Sequence, residues 1–224
     1  MQYCSNNKQL GLVGANGYFI NHDSQIFDSF TYPEHHKELW RGLIKKNTGF
    51  FPHSSAFFNK QLFLKAGGYR KSFKTAQDYD LWLRMGTICQ IGCLQSPLAF
   101  IRKHNRQISF QRMGRQQLVD SFIALISYYL RQTKNQDPMM ETGKTKKYIC
   151  FYKWSKNKIL KSELYNSHIT IAQLKQTLSE KKNICSFFQK EPCNKILLFL
   201  TFIKFKIFGE SIAKSICRQW VQKK

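Results

Sequence analysis

No stretch of this sequence stays apolar for the ~20 residues that a membrane-spanning helix requires. The greasiest run, Ile196 to Ile203, is broken by Lys204 and Lys206. The opening residues, Met1 to Lys8, lack the charged-then-apolar order of a secretory signal, so the expected location is cytoplasmic. The seven cysteines, at 4, 89, 93, 150, 185, 193 and 217, include no C-x-x-C pair. That excludes a zinc ribbon and a thioredoxin-type motif, and leaves free thiols in a reducing compartment as the simple reading. Acidic residues are scarce: 13 Asp+Glu stand against 36 Lys+Arg, for a formal charge of +23.

What is present points to a folded protein. Hydrophobic residues make up 42% and aromatics 15%, with 19 Phe, and 224 residues suffice for a substantial core. The charge is uneven. Residues 1–110 hold 14 basic and 6 acidic side chains, whereas 111–224 hold 22 and 7. A basic second half implies an anionic partner: a lipid surface, nucleic acid or a phosphate-bearing substrate.

Along the chain, Leu10–Gly14 and Gly17–Ile20 read as short strands, the latter in a hairpin whose turn is Asn21-His22-Asp23-Ser24. Pro33 opens an expected helix to about Lys46, with Leu39, Trp40 and Leu43 as its apolar face. Ser54–Phe58 reads as a strand, and Asn59 caps a brief helix that Gly67-Gly68 ends. A helix over Asp78–Met85 and strands near Ile88–Leu94 and Leu98–Arg102 follow. Gln116–Arg131 is a strong amphipathic helix, Thr133–Lys147 has a linker's composition, and helical segments include Ile169–Lys181 and Cys193–Trp220. The expected organisation is α/β over 1–110 and basic, mostly α-helical over 111–224.

One ordered set of short motifs carries chemistry: His53-Ser54-Ser55, then Gly67-Gly68-Tyr69, then Gln77-Asp78-Tyr79-Asp80-Leu81-Trp82, then Arg102-Lys103-His104 with Ser109 beyond. In this order and spacing they resemble family 2 glycosyltransferases, in which an HSS strand, a helix ending in GGY, an (E/Q)D-Y-D-L-W helix start and an R-x-H…S tail succeed one another. The segment LGLVGANGYFINHDSQI resembles the same family upstream. The resemblance covers residues ~10–110 and stops there. It implies the acceptor-side, catalytic-base half of a GT-A (Rossmann-like) domain and an inverting transfer of sugar from a nucleotide-sugar donor to a glycan or lipid-linked acceptor.

The acceptor hydroxyl has a very high pKa, so a carboxylate must take its proton as the bond forms. The resemblance assigns that role to Asp78, whose bland alternative is a helix N-cap. Asp80, two residues on, points elsewhere on a helix and is expected to matter little. Gln77 begins the acidic motif and is carried with it as substrate-binding. Arg102 and His104 resemble the tail near the leaving diphosphate, or form a solvated basic run. His53 and Ser54 could hydrogen-bond acceptor or phosphate oxygens, or be strand-edge polar residues. Trp82 offers a sugar a stacking face, or packs in the core. Adjacent His35 and His36 receive no role.

The family uses Mg2+ or Mn2+ held by an upstream D-x-D. Asp78-Tyr79-Asp80 spells that pattern, but it runs straight into a helix, so no metal ligand is assigned here. The donor-binding strands and the true D-x-D would precede Leu10, where no βαβ unit fits. Three expectations follow: a truncated, inactive form, a donor half on a separate chain, or a retained binding role. The rival class is a non-enzymatic basic binding protein. A peripheral contact with an anionic membrane is favoured over nucleic acid, because the segment from Lys195 to Lys206 mixes greasy residues with Lys as an interfacial helix does; its plain alternative is a packed helix with a Lys-rich solvent side.

Overall fold

The two apolar stretches expected as separate strands are one, β1 (Leu10–Ile20), and it is the centre of the sheet. β1 pairs in parallel along its length with β4 (Gln90–Arg102), which likewise joins two expected strands into one. On its other flank β1 is shared. Its C-terminal half pairs antiparallel with β2 (Ile26–Phe30), and Leu12 and Val13 pair antiparallel with β3 (Phe57–Phe58). The computed structural model describes residues 9–46, 50–104, 113–133, 137–140, 146–161 and 210–223. Over these the fold is mixed α/β, an open four-stranded sheet with helices packed against it.

Register slips where β1 passes Ala15–Gly17 and β4 carries Pro97, which has no N–H to give the ladder. Gly17 is needed there, because a Cβ would lie 2.0 Å from the Ala99 carbonyl oxygen. Asn16, 4% exposed, ties the slipped region together. Its Nδ2 donates to the Gln95 carbonyl at 3.2 Å, and its Oδ1 accepts from the Tyr32 N–H at 2.8 Å.

The helix expected from Pro33 starts later, as α1 (His36–Arg41), and loosens into a π turn over Gly42–Lys46; Leu39 and Leu43 are buried as anticipated. The outer edge of β4 is covered in part by this region. The Cys93 N–H donates to the Glu34 carbonyl, and the Ile91 N–H to His36 Nδ1 at 3.1 Å. His36 thus has a structural part that spacing did not reveal.

Asn59 caps α2 (Lys60–Lys65) as expected, its Oδ1 accepting from the Gln61 and Leu62 N–H groups. Gly67 and Gly68 stop that helix at φ of 85° and 59°, the left-handed region that suits glycine. α3 (Gln77–Met85) follows. Leu81, Trp82, Leu83 and Met85 are each at most 1% exposed, so this short helix is buried on nearly every face.

α4 (Met113–Gln132) packs on α3 and contributes Phe122, Ile123, Leu125, Ile126 and Leu130 to the core. α5 (Lys146–Lys161) and α6 (residues 210–222) complete the described helices. One cluster of buried residues runs from Leu12 to Trp220, so side chains from both sides of position 110 share a single core. The stretch read as a linker is not one throughout. Pro138–Met140 forms a 3-10 turn in which Pro138 and Met139 are buried, and Asp137 is 4% exposed. The helical segment expected at 169–181, and residues 193–209 of the last one, lie outside the described residues.

Candidate functional site

The segment entering α3 is held from behind by α4. Asp120, fully buried, accepts from the Thr75 N–H at 3.1 Å and from its hydroxyl at 2.7 Å. Asp120 in turn accepts from the Tyr152 hydroxyl at 2.7 Å and from Gln116 Nε2 at 2.8 Å. Ala76 then adopts φ 56°, ψ 27°, a left-handed corner that costs a non-glycine residue roughly 1 kcal/mol and persists because its neighbours fix it. Ala76 therefore occupies the N-cap position, and Asp78 does not. Asp78 Oδ1 instead accepts from the next N–H, that of Tyr79, at 2.8 Å.

Asp80 is where the structure departs most from expectation. It is 0% exposed and grips two guanidinium groups. Arg70 Nε donates to it at 2.9 Å, and a second Arg70 nitrogen bonds its other oxygen. Arg84, one turn along the helix, donates through Nε at 3.1 Å and Nη2 at 2.7 Å. Arg70 also reaches Asp137 at 2.9 Å, which accepts as well from Arg131 at 2.6 Å and from the Ser127 hydroxyl at 2.5 Å. Two carboxylates and three guanidinium groups thus lie in one buried network across α3 and α4. A helix buried all round has no solvent for an acid, so Asp80 must be paired. The expected minor role of Asp80 is corrected: it is a structural anchor.

The same geometry frees Asp78. It is half-buried at the first turn of α3, on the small part of that helix that reaches the surface. Tyr69 is near enough to feel its charge, and His53 is bonded to Tyr69. His53 Nε2 is 2.5 Å from the Tyr69 hydroxyl, and the Tyr69 phenol is pushed to higher pKa by burial and by the charge of Asp78. Beneath them lies Trp82, its ring stacked under the His53 imidazole at 6.0 Å between centroids and 21° between planes. Trp82 is 1% exposed and also meets Phe51 and Phe58, so it offers no face to a sugar. Of the two readings of Trp82 the core one holds, and its ring supports His53. Tyr69 closes the Gly67-Gly68-Tyr69 motif, but its pairing with His53 joins two distant segments and leaves no trace in spacing.

The remaining expected residues are placed as follows. The triplet His53–Ser55 is a 3-10 turn, not a strand, because the Ser55 hydroxyl and N–H both donate to the Pro52 carbonyl, at 2.8 and 2.9 Å. Ser54 is exposed on that turn. Gln77 is half-buried, and its Nε2 donates to the Lys74 carbonyl at 2.9 Å. Arg102 ends β4 and is engaged by the β1–β2 hairpin. It donates to the Asn21 and His22 carbonyls at 2.5 and 2.9 Å and to the Ser24 hydroxyl at 2.9 Å. His104 is exposed just beyond it, and Ser109 lies outside the described residues. The structure joins His53 to Tyr69, whose phenol feels the charge of Asp78, and it places Arg102 at the hairpin turn.

The described residues contain no group of three or more His, Cys, Asp or Glu side chains able to hold a metal ion. The one D-x-D spelling does not fit a divalent cation either, since Asp80 is committed to Arg70 and Arg84 while Asp78 faces the surface. An open groove of about 450 Å³ runs along Leu10, Gly11, Val13 and Phe57 to Lys60. Asp78 is not on its wall. Among the described residues no helix is long and apolar enough to cross a membrane. No protein-family model and no curated protein matches the chain.

Proposed function

We propose that residues ~10–110 are the acceptor-side half of a GT-A-type, family 2-like sugar transferase, with Asp78 as the general base. The observation that carries this reading is the division of labour between two carboxylates on one short helix. Asp80 is neutralised in a buried ion network, while Asp78 is held at the surface beside a hydrogen-bonded His–Tyr pair. A general base needs a free carboxylate in a fixed place, reachable by an incoming hydroxyl. The Asp120–Thr75 bonds and the left-handed Ala76 supply the fixity. His53 and Tyr69 are suited to orient an acceptor hydroxyl towards Asp78, since a phenol and an imidazole both donate and accept. In this reading the donor nucleotide and the divalent cation are held by the donor-binding half of the fold.

The test fuses the donor-binding segment of a family 2 transferase ahead of Leu10. Single-turnover release of nucleoside diphosphate is then measured with a glycan acceptor. Asp78→Asn should slow transfer by about 10²- to 10⁴-fold while donor affinity is kept, because the base acts on the acceptor proton. Transfer at an undiminished rate by Asp78→Asn would sink the assignment.

A further inference from the structure

We infer that the outer side of α5, with the end of α6, is a docking surface for an anionic membrane. This stands apart from the transferase reading and rests on different residues. α5 carries six lysines and no acidic residue. A solvated helix usually alternates charges so that Lys meets Asp or Glu one turn away, and α5 has no such partner of its own. Glu210, the acidic residue of α6, is taken by Lys214 at 2.7 Å. Lys153, Lys158 and Lys223 are exposed, and Lys156 is half-buried.

The lysines surround an aromatic pair. Trp154 and Trp220 lie 5.0 Å apart between centroids, with Phe151 4.9 Å beneath Trp220. Lys158 Nζ stands 5.7 Å and Lys223 Nζ 5.8 Å from the Trp154 ring. Trp154 itself is half-buried, with part of its indole at the surface, and Ile149 on the same helix is 37% exposed. A bilayer interface accepts this combination: indole at headgroup depth and Lys stems reaching out to phosphate. Nucleic acid fits less well, because base stacking needs an open aromatic face and this indole packs against a second one. Lys153 and Lys158, exposed and unmatched by any acid of their own helix, are complementary to an anionic headgroup layer.

The test sediments the full chain with sucrose-loaded vesicles of phosphatidylcholine, with and without about 30% phosphatidylglycerol. Retention should require the anionic lipid and should fade as salt rises from roughly 50 to 200 mM. The triple variant Lys153→Glu/Lys158→Glu/Lys223→Glu changes only exposed positions and should keep its far-ultraviolet spectrum, yet bind about 100-fold more weakly. Brominated phosphatidylglycerol should quench tryptophan emission, and Trp154→Phe should remove most of that quenching. The inference is overturned by equal retention on neutral vesicles, by unchanged binding of the triple variant, or by quenching that survives Trp154→Phe. It is equally overturned if a single-stranded RNA oligomer, and not vesicles, binds through these lysines.

Discussion

Asp80→Asn should be among the most damaging single changes available to this protein, though it removes only a charge. Asp80 accepts four hydrogen bonds from two guanidinium groups at 0% exposure. The amide can accept through only one of its two polar atoms, and its NH2 would face donors. It would leave Arg70 and Arg84 buried with less anionic charge than they need. Removing one partner of a buried pair costs about 3–5 kcal/mol, against a total stability of about 5–15 kcal/mol for a domain of ordinary size. In urea, with a slope of about 1–3 kcal/mol per molar, the midpoint should fall by at least ~1 M. Asp78→Asn is the internal control. It is half-exposed two residues away and carries no ion pair among the described residues, so it should shift stability by no more than about 0.5 kcal/mol. Equilibrium unfolding followed by tryptophan fluorescence at neutral pH measures both. Equal midpoints for the two variants would refute the claim that the network, and not simply the helix, holds this region.

Acid should unfold the protein through the same network. Burial acts to raise the Asp137 pKa, but Arg70 and Arg131 outweigh it, so the folded value lies below the ordinary one. Its contribution is then complete above the unfolded carboxylate pKa of about 4 and is lost as pH falls through the depressed value; Asp137→Asn should flatten the acid limb of stability against pH, measured as urea midpoint. Thiol reactivity should divide by position. Burial pushes the Cys89 and Cys93 thiols up to about 11, whereas Cys150 is exposed on α5. Brief alkylation with iodoacetamide at pH 8, read by peptide mass spectrometry, should label Cys150 ahead of both, and faster labelling of Cys93 would contradict its burial.

Local rules served well where the deciding contacts were local. Asn59 as a cap, Gly67-Gly68 as a stop and the apolar faces at Leu39 and Leu43 all follow from chemistry within one or two turns. The strands were placed but cut in two, because Gly14–Gly17 and Ser96-Pro97 look like breaks when read alone. Across the ladder they are matched irregularities in two paired strands. The departures at Asp80 and at Asp137-Pro138 share a cause. Asp80 looks solvated in a helix start, and Asp137-Pro138 looks like a loop, until Arg70 is seen to bind both. Asp80 has a local partner in Arg84 one turn on, but the contacts of Arg70 with Asp80 and Asp137, 10 and 67 residues apart, carry no local signature. Trp82 suits either a stacking face or the core from sequence alone, and its neighbours Phe51 and Phe58 decide between them. The pairing of His53 with Tyr69, across 16 residues, could be found only by folding the chain.

The shared network also bears on how such a protein can change over generations. A module that evolves by exchange needs a seam where few contacts must be matched. Here Arg70, Asp80 and Arg84 come from one stretch of the gene, and Ser127, Arg131 and Asp137 from another. A recombination between them that brought in a different downstream helix would strand guanidinium groups in the core unless the newcomer supplied its own acid in register. The two stretches are therefore expected to be inherited together, and substitutions at 70, 80 and 137 to arise as correlated sets.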